Sequence, residues 1–480
     1  MDSRIVILGG GIGGLSAAQE LAERGFQVTV YEKKDVFGGK ARSLWVPNSG
    51  TEGRKDLPGE HGFRFFPSFY KHVTDTMKRI PFGSNPNGVF DNLVQATRTQ
   101  IARAGASAIT APDDFPKTLD DWATTLRALC TPDLGIPDAE IKYFIDRLLV
   151  LLTSCEERRV AEYEAIPWWQ FIDAAAKSVA YQRLLAQGQT RSLVAMRAEI
   201  GSTRTVGYIL IQLYLGLLSF GGSFDRLLNG PTTGVWINPW VNHLKGLGVE
   251  LHTGATVERF NLDGQRISKV TVERSGQRFD VEADFYIAAL PVEIMAGLWT
   301  EALKAAAPSM AKLASLQTAW MNGIQFYLKN DVPVVHGHSL YVDSPWALTS
   351  VSQRQFWQGV DLGQYGDGRV QGILSVCISD WQTLGILYGK VALQCTADEI
   401  KNEVWAQVKE HLDNVEKQEL EDSNVLSWFL DTDIQFPNPN QVTNLEPLLV
   451  NTAGSLQSRP QAQTEVTNLF LASDYVRTYT

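Results

Sequence analysis

The residues best placed to do chemistry in this sequence are glycines that follow its first apolar run. Gly9, Gly11 and Gly14 satisfy the pattern G-x-G-x-x-G, and Ile12 and Gly13 fill the positions between the last two. In such a pattern the first glycine permits a tight turn, the second lets the backbone approach a pyrophosphate, and the third lets a helix pack closely on a sheet. The N-terminus of that helix offers free N–H groups and the positive end of a dipole. The spacing therefore predicts a dinucleotide site.

The glycines need a strand before them and a helix after them, and the sequence supplies both. Arg4–Leu8 is an apolar run without polar alternation, which is typical of a strand covered on both faces. A helix is predicted over residues 13–23, and a second strand is predicted at Gln27–Tyr31. Glu32 and Lys33 follow this strand directly. A carboxylate at this distance from the glycines accepts hydrogen bonds from the adenosine ribose hydroxyls and repels a 2′-phosphate. The pattern therefore disfavours NADP.

A second glycine turn narrows the choice of dinucleotide. The chain from Glu32 to Arg42 reads EKKDVFGGKAR, so Gly39, Lys40 and Ala41 follow the second strand closely. This segment resembles the flavin amine oxidase and phytoene desaturase superfamily. Residues 60–66, 290–291 and 468–478 are closest to its phytoene desaturase and hydroxysqualene dehydroxylase-like branch. In that superfamily a Gly-Gly-[Arg/Lys] turn wraps the FAD pyrophosphate and ribityl chain. The resemblance implies FAD as the cofactor, with Lys40 or Arg42 offsetting the pyrophosphate charge.

The next segment that resembles the family is aromatic and carries two polar side chains. Residues 60–66 read EHGFRFF, and the corresponding family segment passes the flavin ring. The resemblance places Gly62, Phe63 and Arg64 beside the cofactor, and it makes His61 and Arg64 the candidates for chemically active residues. The alternative is structural: Phe63 belongs to a core strand, and the two polar side chains are satisfied within the protein.

Two further positions complete the resemblance. The family residue that matches Val257 hydrogen-bonds the adenine through its backbone. Residues 468–478 read NLFLASDYVRT, where the family has Asn-Leu-Phe-Leu-Ala-Gly-Asp, so Asp474 matches the carboxylate that bonds the ribityl or pyrophosphate region and Ser473 replaces a glycine. The family continues with a glycine-containing loop and a final helix, whereas this sequence ends at Thr480. We expect that either the C-terminal segment is incomplete or the FAD site is open.

The predicted fold class is α/β, with a Rossmann-type FAD-binding domain, a mixed-sheet substrate domain and a helical insertion. The predicted units are residues 1–80 (first segment of the FAD-binding domain), 81–230 (largely helical substrate cap), 231–300 (second segment of the FAD-binding domain), 301–440 (substrate domain with an antiparallel sheet) and 441–480 (C-terminal FAD-binding segment). Helical spacing is found at 120–128, 138–152, 168–180 and 191–218. Strands are predicted at 238–244, 248–252, 256–260, 284–291, 320–328, 339–342 and 370–378. In the superfamily, the last three form the floor of the substrate cavity.

Composition excludes several classes of protein. The 43 basic and 53 acidic residues give a net charge of −10, which argues against nucleic-acid binding. Four cysteines, far apart in sequence, fit neither a disulfide framework nor a zinc site, so we expect no metal and a reducing, cytoplasmic location. The longest apolar stretch, residues 206–220, is too short and too interrupted to span a bilayer. It predicts a buried or channel-lining helix, or alternatively a peripheral contact with a membrane surface.

Three functions fit these features. The first is an FAD-dependent oxidoreductase that desaturates, dehydroxylates or isomerises an apolar, isoprenoid or carotenoid-like substrate, with oxygen or a quinone as the electron acceptor. The second is a flavin amine oxidase, which needs an aromatic cage and usually a lysine near the flavin, and Lys329 is the candidate. The third is a non-catalytic flavin-binding protein.

Overall fold

Two large sheets organise the fold, and the first is parallel. The computed structural model of the chain describes residues 3–111, 135–194, 196–217, 225–413, 420–438 and 441–478. The five-stranded parallel sheet has the spatial order Glu250–His252, Gln27–Tyr31, Arg4–Leu8, Phe285–Ala288, Leu469–Leu471. The strand order reverses at Arg4–Leu8, and the carboxyl end of a strand at such a switch point is where doubly wound sheets bind ligands. The predicted α/β fold class is confirmed.

Two helices cover one face of this sheet. Ile12–Ala22 packs Leu15 and Ala18 into a core shared with Trp240 and Leu244 of the second helix. That helix is Asn238–Gly246, so the predicted strand at 238–244 is wrong. A proline in its first turn costs no hydrogen bond, and Trp240 and Leu244, four residues apart, are both fully buried on one face.

The second large sheet has seven strands and is antiparallel except for one pair. Its order is Val425–Leu430, Asn322–Leu328, Gly372–Ile378, Thr349–Ser352, Gly337–Tyr341, Arg98–Arg103, Ala106–Ala111. Phe326 and its neighbours on one face pack against the helix Ala397–Leu412, which begins with a capping box between Thr396 and Glu399. The predicted strands at 320–328, 339–342 and 370–378 are confirmed.

The region predicted as a largely helical cap is mixed. The helix Asp138–Leu152 is confirmed, whereas residues 98–111 form strands of the seven-stranded sheet. The helix predicted over 168–180 breaks at Asp173, which has φ 52°, and the one predicted over 191–218 is divided into Gln189–Val194 and Thr203–Leu217. The helix predicted at 120–128 lies outside the described residues. The domain boundaries stay predictions.

The helix Thr203–Leu217 belongs to the protein core. Val206, Leu210 and Ile211 are buried together with Trp168 and Leu148. The prediction of a buried helix is therefore confirmed over its described residues. None of the helices in the described ranges is long and apolar enough to cross a membrane.

Smaller elements connect the two sheets. Two sheets have three strands, in the orders Ala255–Asp263, Arg266–Arg274, Gln277–Val281 and Phe65–Phe66, Arg226–Leu228, Leu93–Gln95. Three strand pairs complete the set: Ser43–Trp45 with Pro58–Glu60, Gln317–Ala319 with Leu448–Val450, and Ile434–Asn438 with Gln441–Asn444. The other α-helices are His72–Lys78, Glu156–Ala161, Trp168–Phe171, Val292–Leu298 and Glu301–Ala306. Two π-helical segments, Tyr181–Gly188 and Thr233–Ile237, precede α-helices.

Candidate functional site

The two glycine turns predicted from the sequence lie against each other. Gly9 has φ 104° and Gly39 has φ 54°, which are backbone conformations that residues other than glycine rarely adopt. The Gly38 N–H donates to the carbonyl of Gly10 at 2.8 Å, and a Cβ on Gly39 would lie 2.9 Å from the Cα of Gly11. Where the two turns meet, their glycines therefore present backbone atoms and no side chains.

The first helix begins at this surface with its N–H groups uncapped. The N-cap residue is Gly11, which has no side chain, and Ile12, Gly13 and Gly14 make up the first turn, whose N–H groups have no acceptor within the helix. A Cβ on Gly13 would lie 2.3 Å from the carbonyl oxygen of Ala472, so the C-terminal segment passes directly beside this helix end. These features form an anion-binding surface of the kind that holds a pyrophosphate.

Asp474 follows two residues after Ala472 and is exposed. Its carboxylate accepts a hydrogen bond from the adjacent Ser473 hydroxyl, and its backbone carbonyl accepts one from Arg459. The structure therefore places Asp474 at the edge of the glycine surface, with its carboxylate open to a further donor.

Glu32 lies at the end of the second strand and is buried. Its carboxylate accepts hydrogen bonds from the Gly10 N–H at 2.7 Å and the Lys34 N–H at 2.8 Å. Burial raises the pKa of this carboxyl, and the two backbone donors only partly offset that effect. The Glu32 carbonyl accepts from Ala255, which brings the strand containing Val257 beside it, and Lys33 is exposed.

The two cations of the second turn are engaged within the protein. The Lys40 ammonium donates to the carbonyl of Pro447. The buried Arg42 guanidinium donates to Glu446 at 2.8 Å and to Asp433 at 2.9 Å. Arg42 therefore positions the turn through carboxylates, and contact of either side chain with a pyrophosphate stays a prediction.

A buried histidine shares this network. His61 Nδ1 lies 2.7 Å from Asp431 Oδ2 and 3.5 Å from Asp433 Oδ2. The Lys34 ammonium lies 3.4 Å from Asp433 and 3.0 Å from Glu446. Although the ligand atoms of His61 and the two aspartates lie within 4.8 Å of one another, as in metal sites, the cations already compensate the carboxylates. We interpret the cluster as an ion-pair network.

The network is balanced when His61 is protonated. Burial alone would lower the pKa of His61, but the close carboxylates of Asp431 and Asp433 outweigh it and raise that pKa. Burial would likewise raise the pKa of Asp433, but close approach of His61 and the charges of Arg42 and Lys34 hold it well below its usual range. His61 Nε2 is buried without a hydrogen-bond partner among the described residues.

Arg64 supports the second turn from the other side. Its Nη2 donates to the carbonyl of Lys40, and its Nε donates to that of Ala41 at 3.4 Å. Burial lowers the pKa of the guanidinium, partly offset by the negative charge of Glu60. Arg64 is thus satisfied by backbone carbonyls, which agrees with the structural alternative.

The segment that contains Arg64 crosses the seven-stranded sheet. The Gln325 amide exchanges two hydrogen bonds of 3.2 Å with the backbone of Glu60, and the Tyr327 hydroxyl donates to the carbonyl of Pro58 at 2.9 Å. A Cβ on Gly62 would lie 3.1 Å from the Cys377 sulfur. The segment is therefore held between the glycine turns and this face of the sheet.

We call this face the inner face. It comprises His338, Leu340, Thr349, Val351, Gly323, Gln325, Tyr327, Ile373, Ser375 and Cys377. All are buried, and burial sets the charge of the titratable ones. It lowers the pKa of His338 to about 4, raises that of Cys377 to about 11 and raises that of Tyr327. The inner face therefore carries no charge at neutral pH. Phe63 meets the His338 ring at a centroid distance of 5.2 Å.

A family model described as flavin containing amine oxidoreductase matches residues 12–480. The chain belongs to this family. The flavin predicted from the sequence is therefore confirmed. The side-chain-free turn, the uncapped helix end and the buried Glu32 fit such a dinucleotide.

Curated relatives of this flavin amine oxidoreductase include carotenoid enzymes. A 15-cis-phytoene desaturase of Glycine max is 23% identical over 74% of this chain and 59% of its own length. The 15-cis-phytoene desaturase of Synechococcus elongatus is 24% identical over 76% of this chain and 70% of its own length. The chain thus spans about three fifths of the length of the first of these relatives.

Solved structures share the fold at low identity. Cyclohexylamine oxidase from Brevibacterium oxydans is 13% identical, with a TM-score of 0.63 over 100% of this chain and 94% of that one. An oxidoreductase from Methanosarcina mazei is 15% identical, with a TM-score of 0.63 over 98% and 95%. At such identities the likeness establishes the fold.

Sequence reasoning missed Asp431, Asp433 and Glu446. All three come from a segment that carried no family motif, and their partners lie hundreds of residues away in sequence. The one available signal was Asp-Thr-Asp directly after the apolar strand Val425–Leu430. The predicted residues of the N-terminal unit, by contrast, do come together around one surface.

Proposed function

We propose that this protein is an FAD-dependent oxidoreductase that acts on an uncharged, apolar substrate of the isoprenoid or carotenoid type, by desaturation, dehydroxylation or isomerisation. The observation that carries the proposal is the uncharged inner face. None of the residues that make up this face offers an anion that could pair with an ammonium substrate, whereas a hydrocarbon substrate needs none. The 15-cis-phytoene desaturases among the relatives support the same substrate class.

The residues proposed to hold FAD form three groups. The first glycine turn and helix end would hold the pyrophosphate, the end of the second strand the adenosine, and the second glycine turn the ribityl chain. These groups comprise Gly9, Gly11, Ile12, Gly13, Gly14, Glu32, Lys33, Val257, Gly39, Lys40, Ala41, Arg42 and Asp474. Gly62, Phe63 and Arg64 pass the ring. Their backbone positions support this assignment, because they surround one continuous surface.

FAD, when bound, would supply two-electron chemistry, taking up a hydride in a desaturation or returning one in a dehydroxylation, and the protein would position the cofactor and the substrate. The segment 58–62 and the inner face exclude water, because both are buried. The His61 network holds the second glycine turn in place through Arg42, while Arg64 holds the same turn by its carbonyls. In this proposal His61 and Arg64 are positioning residues.

The substrate class is testable by anaerobic flavin reduction. The FAD-loaded protein is mixed without oxygen with a polyene or squalene-type lipid in detergent, and separately with a panel of primary and secondary amines. For a desaturation, we expect the visible flavin absorbance to bleach with the lipid alone. A dehydroxylation consumes a hydride, so a hydroxylated lipid should instead reoxidise chemically reduced flavin, and an isomerisation should change the lipid with no net change in the flavin. Bleaching by amines alone would contradict the proposal, and so would a fully loaded flavin with which no lipid is oxidised, reduced or isomerised. Reoxidation by oxygen or by a quinone then identifies the acceptor.

The amine oxidase alternative required Lys329 near the flavin. The structure places Lys329 exposed at the end of the strand Asn322–Leu328, with its N–H donating to the carbonyl of Asn424. Lys329→Met should therefore change the rate of flavin reduction by no more than about twofold, because exposed substitutions away from the site have small effects. Stopped-flow absorbance measures this rate. A tenfold loss with FAD still bound would restore the amine oxidase hypothesis.

A further inference from the structure

An exposed apolar loop follows the strand Gly372–Ile378. Leu384 and Leu387 expose 60% and 53% of their surface, and Ile386 and Tyr388 are also exposed. Residues 381–397 contain a single charged residue, Lys390, in a chain whose net charge is −10. Single exposed apolar side chains are ordinary, but four within five residues form a patch that marks a contact surface.

The exposure of this loop is built into the fold. Glu403, which is fully buried, accepts hydrogen bonds from the consecutive N–H groups of Ile386 and Leu387. The Gly385 N–H donates to the carbonyl of Lys390 at 2.8 Å, which closes the loop. Backbone donors are thereby satisfied from inside while the side chains point outward. Such an arrangement suits an apolar environment, where unpaired backbone groups are costly.

A second apolar residue extends the patch. Val179 is 77% exposed and lines, together with Leu384, one cavity of about 330 Å³ between the cap and the seven-stranded sheet. On the far side of the loop, the Tyr388 hydroxyl accepts a hydrogen bond from Asn402, so the ring is apolar on one side and polar at its tip. Tyrosine with this character is enriched at membrane interfaces.

On the side of Val179 and Leu384, the ion pairs beside the patch present their positive ends outward. Arg183 is 58% exposed and its partner Asp343 13%, while Lys390 is 38% exposed and its partner Glu399 21%. Arg191 and Asp380 form a third pair with the same order of exposure. On the side of Leu387 and Tyr388 the order is reversed, because Asp422 is 77% exposed and its partner Lys409 27%. The rim is therefore cationic on the side of Val179, which complements anionic lipid headgroups there.

From these observations we propose that residues 384–388, with Val179, form a docking surface for an anionic lipid bilayer. The apolar side chains enter the interface, and the cations on the rim contact headgroups. The satisfied backbone and the outward cations favour a lipid surface over a second copy of this chain. Docking needs neither turnover nor a particular substrate, so it goes beyond the proposed function and can be tested without it.

The test is sedimentation of the FAD-loaded protein with vesicles of phosphatidylcholine mixed with phosphatidylglycerol. We expect the wild type to bind and Leu384→Ser/Leu387→Ser to lose about tenfold or more of its partition coefficient, because two inserted apolar side chains are removed. The matched control is Leu152→Ser/Leu445→Ser, which truncates two leucines of similar exposure elsewhere and should bind as the wild type does.

A second pair of variants tests the charges. Arg183→Gln/Lys390→Gln should weaken binding to the mixed vesicles by several-fold and leave the weaker binding to pure phosphatidylcholine unchanged. Three results would overturn the proposal: no wild-type binding, equal loss in the control, or a patch variant that changes the solution mass instead of vesicle binding. The last would indicate an interface between copies. Flavin absorbance in each variant confirms that the protein is folded.

Discussion

Gly11→Ala should weaken FAD binding strongly while leaving the apoprotein folded. Gly11 has extended backbone angles, φ −75° and ψ −174°, which alanine adopts without strain. A Cβ there would meet only the Cα of Gly39, at 3.7 Å, which is an ordinary contact. The added methyl group would instead occupy the surface proposed to face the pyrophosphate. We expect FAD affinity to fall by about two orders of magnitude, equivalent to about 3 kcal/mol.

The neighbouring Gly14→Ala is the contrasting variant. Its Cβ would lie 1.9 Å from the carbonyl oxygen of Gly9, so the helix must move away from the strand. We expect a loss of stability of about 3 kcal/mol in the apoprotein itself. Calorimetric titration with FAD measures affinity, and thermal unfolding of both apoproteins measures stability. If Gly11→Ala retained FAD, or lost stability as Gly14→Ala does, the proposed position of the pyrophosphate would be wrong.

The N-terminal unit was predictable because its determinants are local. The strand Arg4–Leu8, the glycine turn, the helix and Glu32 lie within about thirty consecutive residues. The local sequence pattern therefore indicates each of these elements. The contact between Gly11 and Gly39 follows from the same short segment. A family resemblance added the identity of the dinucleotide, which the spacing alone did not give.

Elsewhere, non-local contacts decided the structure. The strand Arg98–Arg103 pairs in parallel with Gly337–Tyr341, a partner more than two hundred residues away, and no local periodicity indicates that pairing. In Asn238–Gly246, tryptophan and valine favoured a strand, but packing of Trp240 against the first helix overrode that propensity.

The candidate site shows the same division. The sequence predicted that Arg42 would serve the cofactor, but the structure commits its guanidinium to Asp433 and Glu446. The residues that decide its orientation lie about four hundred positions later in the chain. A charged residue in a motif therefore predicts where the cofactor site lies, whereas the groups that its side chain contacts are known only from the folded structure.

Asp433→Asn should destabilise the protein by about 3 kcal/mol and weaken FAD binding, because it leaves buried Arg42 without one of its carboxylates. Lys34 and His61 lose the same partner. The matched control is Asp280→Asn, which breaks the exposed pair with Lys269 and should leave the free energy of unfolding nearly unchanged. Thermal unfolding compares the two variants, and equal losses would mean that the network contributes no more than an exposed ion pair.

The pH dependence of the same network has a defined sign. The pKa of Asp433 is lowered in the folded protein, so its contribution is present above the unfolded value of about 4 and is lost as pH falls. The pKa of His61 is raised, so its contribution is present below the unfolded value of about 6.5 and is lost as pH rises through the folded value. The difference in thermal midpoint between the wild type and His61→Gln should therefore be largest between about pH 4 and 6.5 and shrink at higher pH. A difference that grows with pH would mean that His61 is neutral in the folded protein and that Arg42 and Lys34 alone balance the carboxylates.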